Sequence, residues 1–97
     1  MFLHLYAQET YHQEAFIVGT RPGLEALKRA IDKALMEGQG DEEVFVSDGE
    51  GYSVVVLLKE EEEEAFWDKV AVPYTVDYAA PKDPTAIWPG AIWKPTP

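Results

Sequence analysis

The chain has no cysteine, two histidines, two serines and only eight basic residues against eighteen acidic ones. Without cysteine there can be no disulfide, thiolate zinc site or thiol nucleophile, and a reducing compartment is permitted. His4 and His12 lack the H-x-x-x-H and H-x-x-E spacings of metal-binding helices, so neither a metal nor a cofactor is expected. Ser47 and Ser53 fall in or beside expected strands, and neither sits in G-x-S-x-G, which leaves no catalytic triad. No run of about twenty apolar residues exists, and Met1–Thr10 has no basic lead, so neither a membrane span nor a secretory leader is expected. The reading is a soluble, cytoplasmic protein. A net charge of −10 repels phosphate backbones and anionic membranes, which excludes direct charge-driven binding to nucleic acid or membrane.

What is present is apolar and aromatic. The hydrophobic fraction of 46%, with twelve aromatic residues in 97, is too high for a disordered acidic tail and sufficient for one small domain. Leu3, Leu5 and Ala7 alternate with Phe2, His4 and Tyr6, predicting a strand over 2–7, and Tyr11–Val18 predicts its hairpin partner. Thr20 or Arg21 can cap a helix with Pro22 in its first turn. Leu24, Leu27, Ile31, Ala34 and Leu35 recur at helical spacing as the stripe expected to face a sheet, and Gly38 and Gly40 are expected to stop the helix. A second hairpin is predicted from Glu43–Ser47, the turn Asp48-Gly49-Glu50-Gly51, and Tyr52–Lys59. That turn lacks the alternating acids of a calcium loop. Glu60–Val70 predicts a short helix with acids at its positive end.

The expected fold class is α+β: an antiparallel sheet of about four strands, in ββαββ order, packed on one amphipathic helix. Residues 1–70 form the expected core. Residues 71–97, with six of the seven prolines and the repeat Ala86-Ile87-Trp88-Pro89-Gly90 and Ala91-Ile92-Trp93-Lys94-Pro95, form a tail expected to cover the other sheet face, in the same subunit or a second one. A homo-oligomer, most simply a dimer, follows if the tail crosses between subunits.

Two candidate binding regions emerge. The helix entry Gly19-Thr20-Arg21-Pro22-Gly23 combines backbone amides, a hydroxyl, a guanidinium and a helix dipole, the elements of an anion site. Arg21, Lys28, Arg29 and Lys33 hold half of the eight basic residues, a cationic island in an acidic chain. Phe2, His4, Tyr6, Tyr11 and His12 gather aromatic and imidazole groups on the first hairpin, either as a stacking platform for a flat ligand or as a sheet face buried under the Trp-containing tail. The second region is acidic. Asp41–Glu64 contains ten of the eighteen acids and one base, Lys59.

In size and composition the chain resembles the accessory and anti-defence proteins of bacteria and their phages, a resemblance that identifies no site. It favours a non-enzymatic class; the helix entry and the aromatic hairpin then give the first expectation, a domain that sequesters a small anionic ligand such as a nucleotide signal, with Thr20 and Arg21 holding phosphate and Tyr6, Tyr11 or His12 the flat part. The alternative is an acidic inhibitor or nucleic-acid mimic docking on a basic partner through the hairpin and segment 60–64, with Glu61, Glu62, Trp88 and Trp93 as contact residues. A third reading, a small acid–base hydrolase using two carboxylates, requires a cleft holding a carboxylate of raised pKa.

Overall fold

A computed structural model describes residues 1–76 and 83–95; residues 77–82 and 96–97 of the expected tail lie outside it. The elements run β1 (Leu3–Tyr6), β2 (Phe16–Gly19), α1 (Arg21–Glu37), β3 (Gln39–Phe45), β4 (Gly51–Leu57), α2 (Glu64–Trp67) and a 3₁₀ turn at Pro89–Ala91. This is the expected α+β class and ββαββ order. The expected single sheet is corrected: β1 pairs with β2 and β3 with β4, giving two antiparallel sheets of two strands each. The reason is visible where β1 approaches β3. They share one parallel bridge, Phe2 opposite Phe45, with the Phe45 amide donating to the Met1 carbonyl at 3.1 Å. Beyond that bridge side chains replace the ladder. The Tyr52 hydroxyl donates to the Leu3 carbonyl at 2.5 Å, and the Ser47 amide donates to His4 Nε2 at 3.0 Å.

The chain divides into two compact units, residues 1–5 with 17–59 and residues 6–16 with those from Glu60 onward. In the first, α1 lies on the β3–β4 hairpin, whose register pairs Gln39 with Leu57 and Phe45 with Gly51. The helix contacts the sheet by a strip that shares only Leu27 and Ala34 with the one expected. Gly23, Ala26, Ala30 and Ala34 are buried and Leu27 is half-buried, whereas Leu24, Ile31 and Leu35 stay exposed. Small side chains let the backbones approach closely. At the crossing point a Cβ on Gly40 of β3 would lie 2.2 Å from the Ala30 carbonyl oxygen. Gly40 is therefore a strand residue at a close approach, and Gly38 alone ends the helix, in the left-handed conformation at φ 93° with its amide donating to the Ala34 carbonyl. Leu3, Ala26, Val44 and Val54 form the core, with Leu27 and Tyr52 packed against it.

In the second unit the segment before β2 is not the expected long strand. Thr75 and Val76 donate their amides to the carbonyls of Gln8 and Glu9, His12 takes a left-handed φ of 67°, and strand geometry begins only at Phe16. The expected helix over 60–70 contracts to the four residues of α2. Its like-charged lead does not coil; Glu63 Oε2 accepts the Glu60 amide and a turn forms instead. The Trp67 indole donates to the Glu60 carbonyl at 2.8 Å. Farther on, Val70 and Ile87 form a parallel bridge, the Ile87 amide donating to the Lys69 carbonyl and the Ala71 amide to that of Ile87. No helix among the described residues is long and apolar enough to cross a membrane.

Candidate functional site

The helix entry is built around Phe2. Thr20, extended at φ −71° and ψ 166°, is the N-cap, and its hydroxyl oxygen accepts the amides of Gly23 at 3.3 Å and Phe2 at 3.1 Å. The Thr20 amide donates to the Phe2 carbonyl at 3.0 Å. Both glycines of the motif make room for that carbonyl, since a Cβ would lie 2.9 Å from its oxygen at Gly19 and 1.9 Å at Gly23. The amides of Thr20 and Gly23, read from sequence as donors for an anion, thus meet the chain's own oxygen atoms.

Arg21 is exposed and lines an open cleft of about 350 Å³ with Leu24, Glu25 and Lys28. The wall is almost wholly apolar, so Arg21, Glu25 and Lys28 line it chiefly through their aliphatic carbons. Lys28 Nζ also lies 3.5 Å from Asp32 Oδ2 one turn on, and Arg29 Nε pairs with Glu42 Oε1 of β3 at 2.5 Å.

Tyr6, Tyr11 and His12 belong to the second unit, whereas Thr20 and Arg21 belong to the first. Tyr6 and Tyr11 are 51% and 58% exposed. Tyr11 packs edge-on against His12, with centroids 5.4 Å apart, and against Tyr74 at 6.2 Å. Tyr74 was not a sequence candidate, because only the pairing of residues 75 and 76 with 8 and 9 brings it there.

The acidic hairpin gives a second constellation. Glu43, Phe45 and Gly51 share the face away from α1, as alternation along the register requires. The Phe45 ring and the Glu43 carboxylate flank Gly51: a Cβ built there would lie 3.1 Å from Phe45 Cε1 and 3.6 Å from Glu43 Oε1. Phe45 is 38% exposed, and Glu43, Asp48 and Glu50 are all exposed. Asp48 Oδ1 accepts the Glu50 amide at 3.0 Å, which closes the turn.

In the second unit Glu61 and Glu62 are exposed in the turn before α2. Trp88 is 70% exposed, while Trp93 is half-buried with its indole nitrogen enclosed and without a hydrogen-bond partner among the described residues. Among the described residues no group of three or more histidines and acids is placed to hold a metal ion. Burial pushes the Tyr52 hydroxyl above its ordinary pKa, and donation from the Thr85 hydroxyl and amide holds the Asp83 carboxyl below its own. Set against known proteins, the chain matches no family model, no curated protein and no solved structure.

Proposed function

We propose that this chain is a non-enzymatic binding domain whose acidic β3–β4 hairpin docks on a basic partner protein. The observation that supports it is Phe45, an exposed aromatic beside the Glu43 carboxylate, at the end of a hairpin whose turn adds Asp48 and Glu50. An aromatic anchor ringed by like charges has the composition of a docking surface: the ring supplies buried area and the charges select a partner of opposite sign. The net charge of −10 raises the encounter rate with such a partner and repels others. Affinity should fall steeply with salt, because exposed charges are screened within roughly 8 Å at physiological ionic strength. The test is capture from native cell extract at low salt, with salt elution, using the wild type and the Glu43→Gln/Asp48→Asn/Glu50→Gln variant. A basic protein retained by the first and lost by the second is expected. Equal retention by both, or no basic protein retained, defeats the reading.

The cleft at Arg21 and Lys28 favours a second reading, capture of a small anion such as a nucleotide. Isothermal titration with mono-, di- and cyclic nucleotides would then show binding weakened by Arg21→Ala, and silence across the panel rejects it.

A further inference from the structure

We propose that the exposed face of α1 is the contact of a two-fold dimer, in which a second copy of this chain lays its own α1 antiparallel against the first. The apolar surface of α1 is wider than the sheet beneath it covers. With about 100° between successive residues, Ala26, Ala30, Gly23 and Ala34 form one strip, and Leu27, Ile31, Leu24 and Leu35 continue it round the cylinder to an arc of roughly 180°. The first strip is buried, while Leu24, Ile31 and Leu35 remain 43%, 40% and 65% exposed. Their spacing, seven and then four residues, is that of a helix-packing seam.

Charge selects the occupant. Residues of α1 include four bases, Arg21, Lys28, Arg29 and Lys33, against three acids, Glu25, Asp32 and Glu37. The helix is thus nearly neutral in a chain of net charge −10, and two copies meeting there bring together the part of each that carries least of the acidic charge. A basic partner is drawn instead to the hairpin.

The pattern is also self-complementary when read backwards. A two-fold axis level with the midpoint of residues 29 and 30 sets Leu24 opposite Leu35 of the second copy and Lys28 within one residue of its Asp32. Arg21 then stands beside the C-terminal end of the second helix, where a cation is favoured. In an antiparallel pair the same flank of each helix meets, so the Lys28 and Asp32 flank faces itself with its charges exchanged. A parallel pairing would set the Lys28 and Asp32 flank against the opposite flank of the second helix, and the exchange of charges would be lost. Both side chains are solvated enough to re-pair, at 78% and 58% exposed.

The proposal is tested on the full chain. Sedimentation equilibrium at roughly 100 µM, where contacts of micromolar Kd are populated, should give the mass of two chains. Leu35→Glu should shift the equilibrium to monomer. Lys28→Asp and Asp32→Lys should each weaken the dimer several-fold and the double exchange should restore it, with circular dichroism confirming that α1 stays folded. Because the chain has no cysteine, an equal mixture of Leu24→Cys and Leu35→Cys chains reports the register directly. The mixed disulfide is expected on oxidation. A monomeric wild type, a double exchange no better than its single variants, or disulfides formed only between identical chains would overturn the proposal.

Discussion

The carbonyl oxygen of Phe2 lies 1.9 Å from the point where a side chain on Gly23 would begin. The first helical turn and the start of β1 are therefore in backbone contact, and the Thr20 hydroxyl bonds to both. Gly23→Ala improves helix propensity by about 1 kcal/mol but forces the Phe2 backbone aside, a net loss on the order of 3 kcal/mol. Thr20→Ala removes the cap and should cost about 1–2 kcal/mol, with Thr20→Ser retaining most of it. Urea denaturation of the three variants checks the order; a Gly23→Ala chain as stable as wild type would mean the joint is not tight.

Tyr52 ties β4 to β1 through its bond to the Leu3 carbonyl. Tyr52→Phe should cost about 1–2 kcal/mol, since a half-buried carbonyl loses its donor. The pH dependence follows in sign. Burial raises the hydroxyl's pKa above the ordinary 10.0, so its contribution is complete below that value and is lost as pH climbs through the folded value. Denaturation midpoints of wild type and Tyr52→Phe should converge above that range, because ionised Tyr52 can no longer donate.

Much of this fold was legible from residues alone, and the misreadings share a cause. The capped entry at Thr20 and Pro22, the stop at Gly38 and a hairpin turn at Asp48 and Gly49 depend on local chemistry and stand as expected, although the turn begins before Asp48 and Gly51 belongs to β4. The packing face of α1 does not, because a stripe of leucines competes with a stripe of alanines and local pattern favours the larger side chains. The spacing of Gly23, Ala26, Ala30 and Ala34, read together with Gly40, was the available signal for a close crossing. Similarly, the helix entry has the composition of an anion site, but Phe2 fills it from eighteen residues away. The placement of Gly51 beside Phe45 and Glu43 required the register, which no single segment carries.

Gly40 and Glu42, two residues apart on β3, should respond in opposite degrees. Glu42 pairs with Arg29, but their side chains are 31% and 57% exposed, so Glu42→Gln should cost less than about 1 kcal/mol and less still at high salt. Gly40→Ala meets the Ala30 carbonyl of α1 at 2.2 Å and should cost on the order of 3 kcal/mol at any ionic strength. Thermal melts at low and high salt separate the two; a larger loss for Glu42→Gln than for Gly40→Ala would contradict the packing of α1 on β3.

Asp83 gives an acid-sensitive point in the second unit. The Thr85 hydroxyl and amide donate to its carboxylate at 2.7 and 2.9 Å, and this holds its pKa below the ordinary 3.8. A lowered carboxyl contributes its stabilisation above the ordinary value and loses it as pH falls through the folded one. The turn also continues through the bond from the Ala86 amide to the Asp83 carbonyl into the Ile87 bridge with Val70, so protonation should loosen a local structure while the first unit stays folded. Amide spectra should show the Thr85 resonance titrating below the range of an ordinary aspartate, together with faster exchange at Ile87. Asp83→Asn keeps an acceptor but no titrating group, so the same titration should vanish from its spectrum; a Thr85 resonance that still moves in that variant would assign the effect to another carboxylate.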